Sequence, residues 1–293
     1  SEEPFLQSTG KHLLMFQLSS IRTGLLAAVM SLLSVAGSFA SPATADMSRP
    51  GTRHAVILVG LSKGGFGGGM SLLSVPIMAL VISPIQAAAI MLPILILMDI
   101  SGLVAWRGVY DKACLVILIP AAIAGVGLGW LTAAYVTAAH VRLIVGVVAL
   151  LFCLDYYFGG GKVRKPRTHN PPKGWFWGAM SGFTSFVSHA GGPPYQMYVL
   201  PLRLDPRLMA GTSIIFFSVV NALKVVPYLL LGQFSTVNLM TSAVLLPLAP
   251  LATLAGVRLV RLIKPETFYR FTYAIVFAVS LKLIWDGASA LIP

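Results

Sequence analysis

Two stretches of the sequence combine glycines with residues that could bind a small oxyanion. The first reads Ser62-Lys63-Gly64-Gly65-Phe66-Gly67-Gly68-Gly69, and the second reads Ser188-His189-Ala190-Gly191-Gly192-Pro193-Pro194-Tyr195-Gln196. Glycines leave backbone N–H groups uncovered, and a half-helix that starts at such a break points its positive end at a bound anion. His189 can donate to an anion, or it can exchange a coupling proton near neutral pH.

We therefore expect both stretches to contribute to one substrate site. The expected substrate-binding residues are Lys63, Gly67, Gly68, Gly69, Ser188, His189, Gly191 and Gln196. Three simpler interpretations stay open: the glycines could only pack helices together, Lys63 could reach the membrane surface along its own stem, and His189 could be structural. The sequence contains no metal-ligand spacing and no cofactor motif, so we expect neither a metal nor a cofactor.

Two polar residues inside apolar segments are expected to support this site. Asp99 and Asn221 are 122 positions apart and lie at equivalent places in an internal repeat. A carboxylate at membrane depth needs a partner, for which Lys63 is the natural choice, or it takes part in ion coupling. Lys224 could be a second cation facing the substrate, or it could extend to the interface. Trp106 and Tyr228, near the ends of their apolar segments, are predicted to be interfacial anchors.

The composition places these residues in a polytopic membrane protein. Hydrophobic residues make up 57% of the 293 positions and charged residues 10%, whereas soluble proteins carry about 25% charged residues. The net charge of +12 comes mainly from short segments between apolar runs, which the positive-inside rule explains without a nucleic-acid partner. Cys114 and Cys153 stand singly in apolar runs and are predicted to be small packing residues.

Six apolar segments are predicted to cross the membrane as helices. They are 85–106, 115–134, 143–158, 209–231, 237–259 and 268–291. Two further stretches, 56–82 and 175–202, are interrupted by glycine and proline, and each half is too short to cross. The chain divides into a signal-like or extra N-terminal helix (1–50), a first membrane repeat (51–158), a basic cytoplasmic linker (159–174) and a second repeat (175–293).

The distribution of basic residues indicates how the repeats are oriented. The linker 159–174 is the most basic loop and is assigned to the cytoplasm. The other basic loops also fall inside if each broken stretch is a re-entrant hairpin that returns to its own side. Each repeat then has one hairpin and three crossings, and an odd number of crossings gives the two repeats opposite orientations. The predicted fold is all-α, with two inverted-topology repeats whose hairpins meet near the midplane.

The two glycine motifs resemble those of the TauE/SafE family of bacterial sulfite exporters. The resemblance also includes the run Ser83-Pro84-Ile85-Gln86-Ala87-Ala88-Ala89, the triplet Gly211-Thr212-Ser213 and the segment Tyr228 to Phe234, and it covers about residues 55–288. It implies a multi-pass permease of the bacterial inner membrane that moves sulfite, sulfonates or related organosulfur anions without ATP.

The function expected from these observations is secondary transport of a small anion by alternating access, not catalysis. Two alternatives stay open: an intramembrane enzyme using His189 with Ser188 or Ser185, and a passive anion channel. No Gly-x-Ser-x-Gly or His-Glu-x-x-His pattern supports the enzyme. The expected partners are the anion, a coupling proton and the lipid bilayer; the sequence sets no oligomeric state, transport direction or particular anion.

Overall fold

The regular structure of the chain is helical wherever it is described. The computed structural model describes residues 56–57, 59–61, 63–64, 84–132, 135–158, 165–230 and 234–291, and these contain no strand, as the all-α prediction requires. The helices are α1 (Pro84–Ala105), α2 (Lys112–Leu131), α3 (Ala138–Tyr157), α4 (Pro171–Ser188), α5 (Gly192–Val199), α6 (Pro206–Leu230), α7 (Thr236–Leu245), α8 (Leu248–Leu262) and α9 (Pro265–Ser289). The predicted N-terminal segment 1–50 and the glycines at 67–69 lie outside the described residues.

Several of these helices are suited to a bilayer. Among the described residues, α2, α3, α6 and α9 are long and apolar enough to cross a membrane, and α7 with α8 makes a fifth span if the pair is counted as one. Helix α1 contains a shorter apolar helix, Ala89–Ala105. The chain is therefore a multi-pass membrane protein.

The predicted crossing 237–259 is wrong as a single helix. It is divided into α7 and α8, which are bent by 47° relative to each other. Pro247 cannot donate to the carbonyl group of Ala243, and Pro250 cannot donate to that of Leu246, so two helical hydrogen bonds are missing within about one turn. Helix α2, by contrast, continues through Pro120, because no second proline follows within a turn.

The second broken stretch has its break where the glycines and prolines predict it. Helix α4 ends at Ser188, and α5 begins at Gly192 with Pro193 in its first turn, where a missing N–H group costs nothing. Helix α4 begins at Pro171, four residues before the predicted boundary at 175. The extension follows from the cap: the side chain of Asn170 accepts a hydrogen bond of 3.0 Å from the N–H group of Lys173.

Helices α1 and α6 lie in contact with each other and carry the polar residues of the interior. Helix α8 packs on α1, and α2 packs on α6. Helix α3 packs mainly on α9 and also contacts α4 and α5. The α3–α9 pair is close because Gly146 faces the backbone of Ile284 and Gly287 faces that of Leu143. This arrangement leaves the inner faces of α1 and α6 accessible to the two broken stretches.

Small residues bring α4 directly against α2. A Cβ atom added to Gly125 on α2 would meet the backbone of Ala179 and Phe183, and one added to Gly182 on α4 would meet the backbone of Ala122. Such contacts let helix backbones approach closely, which favours association where lipid removes the hydrophobic drive. The first half of the second broken stretch is therefore held against a membrane helix along its length.

Candidate functional site

The first buried polar cluster joins the two halves of the chain. Lys63, Asp99 and Asn221 are each at most 5% exposed. The ammonium group of Lys63 forms an ion pair with Oδ1 of Asp99, and Nδ2 of Asn221 donates to Oδ2 of the same carboxylate at 2.7 Å. The predicted partnership of Lys63 with Asp99 is confirmed, and both carboxylate oxygens have donors from different parts of the chain.

A second cluster surrounds Lys224, which lies three residues after Asn221 on α6. Lys224 is 1% exposed, so it does not extend to the membrane surface. Its ammonium group donates to Oγ of Ser185 at 3.2 Å and faces Nδ1 of His189 at 3.5 Å. The other ring nitrogen of His189, Nε2, lies 2.8 Å from the hydroxyl oxygen of Tyr228.

The ring of His189 lies between two polar side chains. Nδ1 faces the Lys224 nitrogen and Nε2 faces the Tyr228 hydroxyl, and each ring nitrogen donates or accepts according to the tautomer. Both ring nitrogens therefore contact protein groups. Donation from His189 to an anion, which the sequence suggested, stays a prediction.

The backbone at the break is held by hydroxyl groups of α4. His189 has φ 54°, a left-handed conformation, and ends the helix there. Ser181 Oγ donates to the carbonyl oxygen of Gly191 at 2.7 Å. Thr184 Oγ1 lies within hydrogen-bond distance of two carbonyl oxygens, that of Met180 at 2.7 Å and that of Ala190 at 3.0 Å. The carbonyl oxygen of Gly191 also accepts from the N–H group of Tyr195 at 3.2 Å, as the first acceptor of α5, so side chains of α4 and the backbone of α5 both hold the break.

The remaining predicted site residues of the second stretch are buried beside this break. Ser188 Oγ donates to the carbonyl oxygen of Thr184 at 3.2 Å, which directs its hydrogen into its own helix. A Cβ atom at Gly191 would come within 2.7 Å of the Ser181 carbonyl oxygen and of Ser185 Cβ, so this glycine packs against α4. Gln196 is fully buried on α5. Direct substrate contact by these residues stays a prediction.

Trp106 and Tyr228 are not the interfacial anchors that the sequence suggested. Both rings are buried, and each contacts a broken stretch. Trp106 Nε1 donates to the carbonyl oxygen of Gly64 at 2.8 Å, and the ring of Tyr228 lies edge-on to that of Phe186 at 6.2 Å between centroids. Adding 122 to 106 and 64 gives 228 and 186, so the same pair of repeat positions is in contact in both halves.

Sequence reasoning did not commit to Lys224 and did not single out Ser181 or Thr184. A signal for Lys224 was available, since it is a lysine within an apolar helix of 25 residues, as costly at membrane depth as Lys63. Its direction could not be inferred, because a lysine six residues from a helix end can also extend to the interface. The hydroxyls carried no signal, because serine and threonine also serve as small packing residues in membrane helices.

The fold and this interior define a class of protein. A multi-pass helical membrane protein that buries two lysines and a carboxylate at a broken segment resembles solute transporters, where such residues mark substrate or ion pathways. Among the described residues, no three His, Cys, Asp or Glu side chains come together as metal ligands.

Comparison of the sequence with protein families assigns the chain more closely. The family model described as sulfite exporter TauE/SafE matches residues 54–283, and the chain belongs to this family. Comparison with curated proteins and with solved structures gave no significant match. The family assignment covers both broken stretches and all of the helices that carry the buried polar residues.

Proposed function

We propose that this protein is a secondary transporter for a small anion, with sulfite or an organic sulfonate as the substrate. The observation that carries the proposal is the buried polar interior in which residues of both broken stretches meet α1 and α6. Lys63 and Ser185 come from the broken stretches, and Asp99 and Lys224 come from the helices. Family membership supplies the class of substrate.

The second part of the proposal is that the two halves are inverted repeats. The hydrogen bond between Asp99 and Asn221 joins residues at equivalent repeat positions, as expected close to an axis that relates the halves. The contact between Trp106 and Gly64 in the first half recurs as the contact between Tyr228 and Phe186 in the second half, which supports the same relation. With a re-entrant hairpin and three crossings in each half, the halves have opposite orientations in the membrane.

Alternating access then consists of the two halves rocking about a fixed site between the hairpins. The residues proposed to surround the anion are Lys63, the backbone around Gly67 to Gly69, Ser188, His189, Gly191 and Gln196. Asp99 with Asn221 braces the hairpins. His189 orients Lys224 and provides a group for proton coupling. The proposed location is the bacterial inner membrane, with linker 159–174 in the cytoplasm.

Counterflow in proteoliposomes tests this function. Purified protein is reconstituted with unlabelled sulfite inside, and labelled sulfite is added outside. A carrier accumulates the label transiently above the outside concentration, because the unlabelled anion leaves through the same site. We expect such accumulation, with saturation at high sulfite, and we expect Lys63→Ala to remove at least about nine-tenths of it, since loss of a buried charge typically costs 2–5 kcal/mol.

Lys282→Ala is the matched control. Lys282 is also a lysine on a membrane helix with a carboxylate partner, Asp286, but both residues lie on α9, which is not part of a broken stretch. The control should transport like the wild type. Flux that never saturates and shows no counterflow would favour a channel, and turnover of sulfite by detergent-solubilised protein would favour an enzyme; either result contradicts the proposal.

A further inference from the structure

An open cavity lies at the base of the second broken stretch, and we call it the basal cavity. Its volume is about 390 Å³, within the range of sites that bind small organic molecules. Three parts of the chain form its wall: the linker between 166 and 170, the first two turns of α4, and the end of the stretch between 197 and 202. The linker and both ends of the second broken stretch therefore meet at this cavity.

The linker is held in place on one side of the basal cavity. The N–H group of Arg167 donates to the carbonyl oxygen of Pro201 at 2.9 Å, and the N–H group of Asn170 donates to the hydroxyl oxygen of Tyr198 at 3.4 Å. Both acceptors belong to the end of the second broken stretch. The backbone that carries the basic side chains of the linker is therefore fixed against this stretch.

The rim of the basal cavity is positively charged. Arg167 and Lys173 line it with exposed side chains, and none of the described residues that line it is acidic. Arg167 also borders a smaller neighbouring cavity, where two further basic residues accompany Asp155. A guanidinium group can hold two oxygens of a phosphate at once, and an ammonium group adds a point charge beside it. The rim is therefore suited to a phosphate group.

The floor of the basal cavity is apolar and lies near the membrane interface. Trp177, Met197 and Leu202 line the same cavity as the two basic residues. In the second turn of α4, Trp175 and Phe176 are exposed, and exposed aromatic residues near the end of a membrane helix are typical of the headgroup level. A free inorganic anion gains nothing from an apolar floor, whereas a phospholipid has both a phosphate and hydrocarbon.

We propose that the basal cavity binds an anionic phospholipid from the leaflet on the linker side. Its phosphate lies at Arg167 and Lys173, and its glycerol backbone and first acyl carbons lie on Trp177 and Met197. Basic pockets between membrane helices bind acidic lipid headgroups in this way. One bound lipid then contacts the linker and both ends of the second broken stretch, so it stabilises the base of that stretch. The site is separate from the buried polar clusters, and its test uses no sulfite.

Lipid competition measured by native mass spectrometry tests the proposal. Delipidated protein in detergent is given phosphatidylglycerol and phosphatidylcholine with identical acyl chains at equal concentration. Both lipids contain a phosphate diester, but only phosphatidylglycerol has a net negative charge. We expect the wild type to retain phosphatidylglycerol in preference. Arg167→Gln with Lys173→Gln should remove the preference and weaken phosphatidylglycerol binding about 30-fold, the combined effect typical of two basic residues beside an anionic lipid.

Arg107→Gln with Lys112→Gln is the matched control. Nε2 of His169 in the linker lies 3.4 Å from Oδ2 of Asp111, which places these two basic residues on the same side of the protein as the linker. Neither is among the described residues that line the basal cavity. The control removes the same charge, and at an ionic strength of about 0.15 M charges more than about 8 Å from the lipid are largely screened. It should keep the wild-type preference.

Water-soluble anions separate a lipid site from a site for free anions. Inorganic phosphate and glycerol 3-phosphate share the phosphate chemistry but have no acyl chains, and sulfite is the proposed transport substrate. None of the three should displace phosphatidylglycerol when present at the concentration of the lipid. Displacement by either phosphate compound would assign the cavity to a free phosphate, and displacement by sulfite would assign it to the transport path; both outcomes contradict the proposal.

Thermal stability gives a second measurement of the same site. A ligand that binds only the folded protein stabilises it, so phosphatidylglycerol should raise the Tm of the wild type and of the control more than that of Arg167→Gln with Lys173→Gln. Each variant is used only if it elutes as a single species from size exclusion. If the double variant does not, Arg167→Gln and Lys173→Gln are tested singly, and each should weaken phosphatidylglycerol binding about fivefold.

The proposal fails if the wild type does not prefer phosphatidylglycerol, if Arg167→Gln with Lys173→Gln keeps the preference, or if the control loses it to the same extent. The last result would mean that the whole basic surface, not the basal cavity, attracts the lipid. Failure of the proposed transport function is seen separately, because it would abolish sulfite counterflow in the wild type and leave the lipid preference unchanged.

Discussion

His189 combines a strained backbone with a side chain that orients Lys224. A left-handed conformation costs about 1–2 kcal/mol for a residue other than glycine. The strain persists because hydroxyls of α4 hold the following carbonyl groups and Tyr228 holds the ring. Backbone strain kept at a buried polar site is typical of a functional position.

Glycine at position 189 should separate the effect of the backbone strain from the effect of the imidazole side chain. His189→Gly removes the strain and also two hydrogen bonds worth about 1 kcal/mol each, so thermal stability in detergent should change little. Sulfite counterflow should fall strongly, because the ammonium group of Lys224 loses the nitrogen that orients it. His189→Asn should retain more activity, since asparagine tolerates this conformation and its side-chain oxygen can accept from Lys224.

The other non-glycine residue with positive φ among the described residues provides the control. Arg203, with φ 50°, lies in the turn after the second broken stretch. Arg203→Gly removes similar strain and should leave counterflow unchanged. Equal loss of activity in Arg203→Gly and His189→Gly would mean that backbone stiffness, not the imidazole, is what transport requires.

Two glycines of α2 have different surroundings, and only one of them faces α4. Gly125 faces the backbone of Ala179 and Phe183, whereas a Cβ atom at Gly127 would meet nothing within 4 Å. One side of α2 therefore excludes even a methyl group, and the other admits it.

Alanine should destabilise the protein at position 125 but not at position 127. Gly125→Ala should lower the free energy of unfolding by about 1–3 kcal/mol, because backbone atoms of α4 must move to admit the methyl group. Gly127→Ala should be neutral or stabilising by up to about 1 kcal/mol, the helix-propensity difference. Thermal unfolding in detergent measures both, and equal shifts would mean that α4 does not pack on this face of α2.

The contact between Asp99 and Asn221 is where the two halves of the molecule meet. Asn221→Asp places two carboxylates face to face across a 2.7 Å contact and should destabilise the protein. The exchange Asp99→Asn with Asn221→Asp restores one carboxylate and one amide, so it should recover part of the loss. We expect a coupling of about 0.5–3 kcal/mol in a thermal double-mutant cycle.

Additive effects of the two substitutions would contradict direct contact between the halves. A pair with the same change in polarity at distant positions, Asn170→Asp with Asp286→Asn, serves as the control. Asn170 caps α4, and Asp286 pairs with Lys282 on α9, so these residues belong to different local interactions and should show no coupling.

The residue types alone were enough to assign the membrane class, to place the second break at His189–Gly191 and to pair Lys63 with Asp99. These inferences depend on quantities that belong to single residues or short segments: the cost of a charge in lipid, the missing N–H group of proline and the left-handed preference of glycine-rich breaks. The family motifs are local in the same sense, which is why they too could be recognised from sequence.

The packing of the helices was needed to show that Lys224 is buried against Ser185 and His189, and that Trp106 and Tyr228 face inward. A helix presents its residues all around its axis, and which side becomes interior depends on the neighbours that cover it. Ser185 and Lys224 are 39 positions apart and belong to different elements, so their contact exists only once α4 is packed beside α6.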